Sequence, residues 1–326
     1  MRQSIIVAFG YHDLEAPRYR NIRRALEAKG YAILECHTSA TGFLAKCVEL
    51  FSQWNKVKGT ADAMYVTFPG QYLVPLTWIL TRYPRKKLIF DAFVSLHDSM
   101  VDDRKLVSSW SPRAWFLYAI DWLSCHLADE VILDTKAHRS FFIARFHLKP
   151  DRVRVIYLGS RTDLFKPEEK GRRRAPGDLF KVFFYGTYIP LQGIEHIIDA
   201  AKILQERHAN VRITLVGSGQ MRDAMEMKAA AYGLTNVTFQ SFVPLEALPA
   251  MIRASDLCLG IFGATAKAQR VIPHKVFDAV ACGVPVLTED SPAIRELFAR
   301  DPLVLLCPAG NPEAIADAIL KMGNRE

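Results

Sequence analysis

The sequence predicts an α/β protein built from two doubly wound domains, and three observations carry that expectation. Apolar, strand-like runs alternate with amphipathic, helix-like stretches along the whole chain, the pattern of parallel sheets covered by helices. The alternation breaks at residues 167–178 (PEEKGRRRAPGD), a charged stretch punctuated by Pro and Gly that reads as a linker. The length of 326 residues suits two domains, each with its own core. The expected division is a first domain over 1–166, the linker over 167–178 and a second domain over 179–326.

Taken in order, residues 4–10 (SIIVAFG) read as a first strand and 18–29 as a helix stopped by Gly30. Strands are expected at 31–36, 63–68 and 87–93, with helices between them at 42–58 and 73–83. The helix over 112–127 carries Trp115, Phe116, Leu117, Tyr118 and Trp122, so it is apolar nearly all round. A strand at 130–133, a helix at 135–146 and a strand at 153–158 complete the half. Beyond the linker the alternation restarts, with strands at 180–185, 211–216 and 237–240 and helices at 194–207, 221–232 and 245–254. An apolar run at 257–262 reads as a buried strand. The next helix opens at Pro273, presents Val276, Phe277, Val280 and Ala281 on one face, and stops at Gly283. A strand at 284–288 follows, then a helix at 293–299, a strand at 303–306 and a helix at 313–321.

Composition excludes several classes. The chain is 50% hydrophobic and 23% charged, as expected of a globular protein. The N-terminal MRQSIIVAFG is too short for a signal sequence, and the apolar run at 72–80 is too short to span a bilayer. Six cysteines form no Cys-x-x-Cys pair and fall mostly in apolar runs, which points to buried thiols in a reducing, cytoplasmic setting. No His, Asp or Glu spacing suggests a metal site, and no cofactor is implied. Charge is uneven: residues 1–165 hold 23 Lys and Arg against 16 Asp and Glu, a balance of +7 in a chain of +8. That half is either a solvated basic surface or one that meets an anionic partner such as the inner face of a membrane. Nucleic acid is not expected, because no recognition motif accompanies the charge.

The most informative stretch is 256–288, DLCLGIFGATAKAQRVIPHKVFDAVACGVPVLT. A strand, a basic loop with Lys267 and Arg270, and a helix start with Lys275 in its first turn make a place for an anion. Backbone N–H groups and the positive end of the helix dipole add to the side-chain charge. The segment KVFDAVACGVPVLT resembles the donor-nucleotide signature of the retaining family-four glycosyltransferases, group 1, which share the GT-B fold. The resemblance covers nearly all of the second half and the first only loosely. It implies two Rossmann-like domains facing a cleft, with a nucleotide-sugar donor on the second and a glycan or lipid-linked acceptor on the first. It also implies that Asp278, in the place of the family's Glu, takes the ribose hydroxyls. The variant matched is the one with Pro-x-Lys before that carboxylate, here Pro273, His274 and Lys275. Members typically carry a second Glu eight residues earlier, where this chain has Arg270. Members also continue into a segment that crosses back to the first domain; in a chain ending at Glu326 that crossover is expected to be missing or truncated.

Further positions follow from the resemblance. Gly186, Thr187 and Tyr188 match the turn where members carry Gly-Arg, and Gln192 stands where they carry a phosphate-gripping Lys. Two cations are thus absent from one loop and three, Lys267, Arg270 and Lys275, are present on the other. Gly217 and Gly219 match the turn beneath the donor, and Val271, Ile272 and Pro273 complete the donor loop. The acceptor is expected against Gly10, Tyr11, Asp13 and Arg18, which lie at or beyond the end of the first strand. Asp91 and His97 are candidates to orient or deprotonate its hydroxyl, against plainer readings as a cap and a loop histidine. The expected function is metal-independent, retaining transfer of a sugar to a hydroxyl in surface glycan or glycolipid synthesis, with Arg270 and Lys275 stabilising the leaving diphosphate. Two alternatives stay open: a non-catalytic GT-B subunit that binds a glycan or partner enzyme, and a nucleotide-sugar epimerase.

Overall fold

A computed structural model describes residues 3–168, 175 and 177–324; most of the expected linker, 169–174 and 176, lies outside them. The chain forms two compact units, Met1–Leu158 and Gly159–Glu326. The division thus falls ahead of the expected boundary at 166. Residues 159–166 belong with the second unit, where the Ser160 hydroxyl bonds Asp278 and Phe165 is buried.

The first unit is a six-stranded parallel sheet of β1 (Ile5–Gly10), β2 (Ala32–His37), β3 (Ala63–Val66), β4 (Lys87–Asp91), β5 (Glu130–Leu133) and β6 (Val153–Val155), in the order β2-β1-β3-β4-β5-β6. Its helices are α1 (Pro17–Glu27), α2 (Phe43–Val57), α3 (Val74–Leu80), α4 (Pro112–Leu127) and α5 (Lys136–Phe146). Alternate strand residues serve opposite faces: Val7, Phe9, Met64 and Phe90 join one core, Ile6, Ala8, Tyr65 and Ile89 the other. Burial on both faces is why these strands read as unbroken apolar runs.

In the second unit β7 (Phe180–Tyr185), β8 (Val211–Val216), β9 (Val237–Gln240), β10 (Leu257–Leu259), β11 (Val286–Glu289) and β12 (Val304–Cys307) form a parallel sheet ordered β12-β11-β10-β7-β8-β9. Its helices are α6 (Ile194–Glu206), α7 (Arg222–Ala231), α8 (Leu248–Arg253), α9 (His274–Ala281), α10 (Pro292–Phe298) and α11 (Pro312–Gly323). Strand order reverses between β1 and β3 in the first sheet and between β7 and β10 in the second. The crevice outside the carboxyl ends at such a reversal is where open α/β sheets take ligands.

Departures from the expected elements have local causes. Of the run at 257–262 only Leu257–Leu259 is regular strand; beyond it the Ile261 N–H donates to the Thr288 hydroxyl at 3.2 Å in place of a backbone carbonyl, and a Cβ at Gly260 would lie 2.3 Å from that hydroxyl. The stretch 245–254 divides into a 3-10 turn and α8, with Pro249 in the first turn of the helix. A π-helical turn, Asp98–Asp103, follows β4. It begins just past a loop pinned by Asp121, whose carboxylate accepts from the Ser95 hydroxyl and the His97 backbone N–H.

Candidate functional site

In the second unit, two glycine turns meet at the reversal point. Gly217, with φ of 134°, lies so close to Gly186 that a Cβ would stand 1.9 Å from the Gly186 carbonyl oxygen. Only glycine permits that approach. The Tyr188 N–H donates to the Ser218 carbonyl at 2.9 Å, tying the turns together. On the other flank, the 3-10 turn Pro190–Gln192 packs backbone to backbone on the segment leaving β10, with the Phe262 N–H donating to the Gln192 carbonyl at 3.1 Å. The β10 exit is thereby held beside the turn after β7.

Lys275 uses that closeness. It leaves the first turn of α9, is buried, and donates from Nζ to the side-chain oxygen of Gln192. Its Nζ sits 3.7 Å from the centre of the Phe184 ring, and a side chain at Gly186 would begin 3.0 Å from it. An amine thus stands against Gln192, one of the two positions where the opposite loop lacks the expected cation, and beside Gly186, the neighbour of the other, Thr187. Burial pushes its pKa well below the ordinary lysine value.

Asp278, also buried on α9, accepts from the Tyr185 hydroxyl at 2.6 Å on one oxygen and from the Ser160 hydroxyl on the other. Burial raises its pKa, and the two hydroxyls pull the other way. Tyr185 ends the strand expected at 180–185 and was given no role there; Ser160, 118 residues from Asp278, gave no local signal. The cationic loop is compact: Lys267 is largely buried, its carbonyl accepts from the Arg270 N–H at 2.9 Å, and Arg270 and Val271 are half-buried. Ile272 is buried, and Pro273 is the N-cap of α9, which has no side-chain cap bond. Thr187 is exposed, whereas Tyr188 is a core side chain packed with Phe184, which leaves no side-chain face for a donor.

The first unit places its candidates differently. Asp91 and Arg18 form a buried ion pair: the Arg18 Nε donates to the two carboxylate oxygens at 2.9 and 3.0 Å, and the Tyr65 hydroxyl donates at 3.0 Å. The Arg18 guanidinium also lies over the Phe93 ring. Burial raises the Asp91 pKa against the pull of Arg18 and Tyr65. Both groups are therefore engaged with each other, which sets them apart from a free base and a free phosphate ligand. Gly10 meets the Thr67 side chain, which bonds the His12 ring at 2.8 Å, and Tyr11 lies under the Lys46 amine. Asp13 is exposed and caps the Glu15 N–H. His97 stands 3.3 Å from Asp102 and lines a cavity of about 520 Å³ with Trp110, Trp115, Tyr118 and Arg145, away from the Arg18–Asp91 pair. Among the described residues, no group of three His, Cys, Asp or Glu could hold a metal ion, and no helix is long and apolar enough to cross a membrane.

Against this geometry, residues 165–326 match the family model of glycosyl transferases group 1. The match spans nearly all of the second unit. The turns around Lys275 and Asp278 lie within the matched residues, as does the reversal point. An uncharacterized glycosyltransferase of Methanocaldococcus jannaschii is 27% identical over 209 residues, covering 61% of this chain and 52% of its own. The chain spans about half the length of the curated relatives it matches, at 52%, 44% and 48%. Sucrose-phosphate synthase from Thermosynechococcus elongatus superposes with a TM-score of 0.73 at 18% identity, over 99% of this chain and 92% of its own. Anabaena HepE in complex with UDP-glucose gives 0.65 at 18% identity, over 97% and 89%. The fold is therefore GT-B, two Rossmann-like units in succession.

Proposed function

We infer that the chain transfers a sugar from a nucleoside-diphosphate sugar to a hydroxyl acceptor. The observation that carries this reading is the Lys275 amine, buried against Gln192 and Gly186 at the strand-order reversal of a glycosyltransferase group 1 domain. Among the described residues this buried ammonium has no carboxylate partner, which is costly, and a bound diphosphate is the anion that offsets the cost. The donor diphosphate would lie between the Gly186–Thr187 turn and the start of α9, within reach of Lys275 and Arg270, with Lys267 on the same loop. These cations, with the N–H groups of the helix start, meet the charge that develops on the leaving group, so no metal is required. Asp278 would take the ribose hydroxyls, sharing its oxygens with Tyr185 and Ser160. Retention of configuration rests on the resemblance of KVFDAVACGVPVLT to the retaining family-four enzymes.

The acceptor would meet the carboxyl ends of β1 and β4, with Gly10, Tyr11 and Asp13 as contacts. In this unit the Arg18–Asp91 pair acts as a rigid floor, and His97 is the candidate proton acceptor. A glycan or lipid-linked acceptor at the inner face of a membrane suits the basic first half. One observation favours a second reading, a non-catalytic subunit: both Asp278 oxygens are already bonded within the protein.

The test is a panel of nucleotide sugars, UDP-glucose among the first because a structural neighbour binds it, with nucleoside diphosphate release as the readout. Release from one donor, unchanged in excess EDTA, is the expected result. Tight donor binding without release, under every acceptor tried, would leave the non-catalytic reading in place. Release that collapses in EDTA and returns with magnesium or manganese would remove the metal-free mechanism.

A further inference from the structure

A helix that is apolar all round is normally enclosed. In α4 the inner stripe is indeed buried, with Ala114, Leu117, Ile120 and Cys125 in the interior. The outer stripe is exposed nonetheless: Trp115 is 65% accessible, Phe116 55% and Trp122 40%, with Leu123 beside them. α2 repeats the arrangement, burying Leu50 and Trp54 while Phe43, Leu44, Val48 and Phe51 face outward. Tyr72 joins the two helices into one surface, its ring stacked on Phe116 at 6.2 Å and meeting Phe43 edge-on at 6.5 Å. Among the described residues the first unit exposes fourteen large hydrophobic side chains and the second only four, although the units are of similar length. An apolar patch of this kind marks an interaction surface.

Charge selects the occupant. α4 carries two formal charges, Arg113 and Asp121. Asp121 is buried and bonded to Ser95 and to the Leu96 and His97 N–H groups, so the outward face holds Arg113 and no carboxylate. On α2, Lys46 lies over the Tyr11 ring, and Glu49 accepts from the Thr38 hydroxyl. Residues 1–165 carry a balance of +7. Rings of Trp and Tyr, apolar in body and polar at one edge, suit the boundary between headgroups and acyl chains. Cations among them suit anionic headgroups.

We propose that the outer faces of α2 and α4 seat this chain on an anionic phospholipid surface, with Trp115, Phe116 and Trp122 entering the headgroup boundary and Arg113 meeting lipid phosphate. The proposal deepens the membrane setting given above for the acceptor, but it requires only the surface of the first unit and no sugar transfer.

The test uses the full chain with vesicles of phosphatidylcholine alone and of phosphatidylcholine mixed with phosphatidylglycerol. Co-sedimentation with the mixed vesicles, weakened by added salt, is expected, together with quenching of tryptophan emission by brominated lipid. The double substitution W115S/W122S should weaken vesicle binding by about tenfold or more, since it removes the two largest exposed rings of the α4 face. Far-UV circular dichroism and nucleotide-sugar affinity should be unchanged in that variant, because both side chains lie outside the core. Absence of binding, binding indifferent to W115S/W122S, or lack of quenching in the wild-type chain would overturn the proposal. So would concentration-dependent dimers in light scattering that W115S/W122S dissolves, which would assign the face to a second copy of this chain. Vesicle binding by a protein that turns over no nucleotide sugar would uphold this inference while removing the enzymatic one.

Discussion

The Lys275 amine donates to the side-chain oxygen of Gln192, 83 residues earlier in the sequence, and is thereby stationed on the turn after β7 although it grows from α9. The amine thus reaches the loop where the resemblance leads one to expect a cation and the sequence has Gln192. The Lys275→Met variant tests what the amine is for. Methionine keeps the packing over Phe184 but carries no charge. Removing an uncompensated buried ammonium should hold or raise the melting temperature. Donor affinity should fall at least about tenfold, the scale of a lost charge-assisted hydrogen bond of roughly 1.5–3 kcal/mol. Calorimetric unfolding and titration with UDP measure the two effects separately; a loss of both together would make Lys275 a structural residue.

Proton linkage gives an independent check. Burial holds the Lys275 pKa well below 10.5 in the free protein. A bound diphosphate would pull it back up, so between the two values binding takes up a proton and affinity falls as pH rises. For stability the sign follows from the same shift: the unfolded chain binds the proton more tightly, so the free energy of unfolding rises with pH across that range. Titration of UDP in buffers of different ionisation enthalpy reports the uptake directly. An uptake that persists in Lys275→Met would assign it to another group.

Much of the fold was legible because local signals agreed with it. The helix expected at 112–127 is α4, bounded by the Ser111 cap, whose hydroxyl accepts from the Ala114 N–H, and by Pro112 in its first turn. Strands β5, β7, β8 and β9 also fall where their apolar runs lie. What escaped was set by distant partners. Asp91 and Arg18 were weighed as separate candidates, yet they are one buried pair across 73 residues. Tyr185 and Ser160 converge on Asp278 through folding alone, and no spacing in the sequence marks that convergence. The outward stripe of α4 was visible as apolar residues, but only the fold distinguishes its inner face from its outer one.

The Arg18–Asp91 pair should act as a unit. Arg18→Ala leaves a buried carboxylate with the Tyr65 hydroxyl as its remaining partner, which should cost about 3–5 kcal/mol. Arg18→Met with Asp91→Leu removes both charges and should recover most of that loss. Denaturant unfolding of Arg18→Met, Asp91→Leu and the double variant provides the cycle, and strict additivity would mean the residues do not depend on each other.

Glu289, at the end of β11, is buried, and among the described residues neither of its oxygens has a hydrogen-bond partner. Burial alone pushes its pKa up from 4.5 to about 8. The folded state therefore binds the proton more tightly than the unfolded chain. Its stabilising share is full below about 4.5 and is lost as pH rises through about 8, on the order of a few kcal/mol. Glu289→Gln should flatten that part of the profile of melting temperature against pH. An unchanged profile would place the titration elsewhere.

Asp278 poses the sharpest choice, because its carboxylate is both the ribose ligand suggested by the resemblance and the acceptor for two buried hydroxyls. If its work is purely structural, Asp278→Ala orphans Tyr185 and Ser160 and costs about 1–3 kcal/mol, and Tyr185→Phe should recover part of that. UDP affinity would then follow stability and return with it. If the carboxylate also takes ribose hydroxyls, Asp278→Ala should weaken UDP binding by about tenfold or more, and Tyr185→Phe alone should leave the affinity intact or raise it, since one carboxylate oxygen is freed. The two variants thus move stability alike and affinity apart. The ribose assignment predicts the second pattern, read by unfolding and by UDP titration on the same samples. Equal affinities for Asp278→Ala and the parent protein would withdraw Asp278 from the donor site and leave it as the tie between Ser160, Tyr185 and α9.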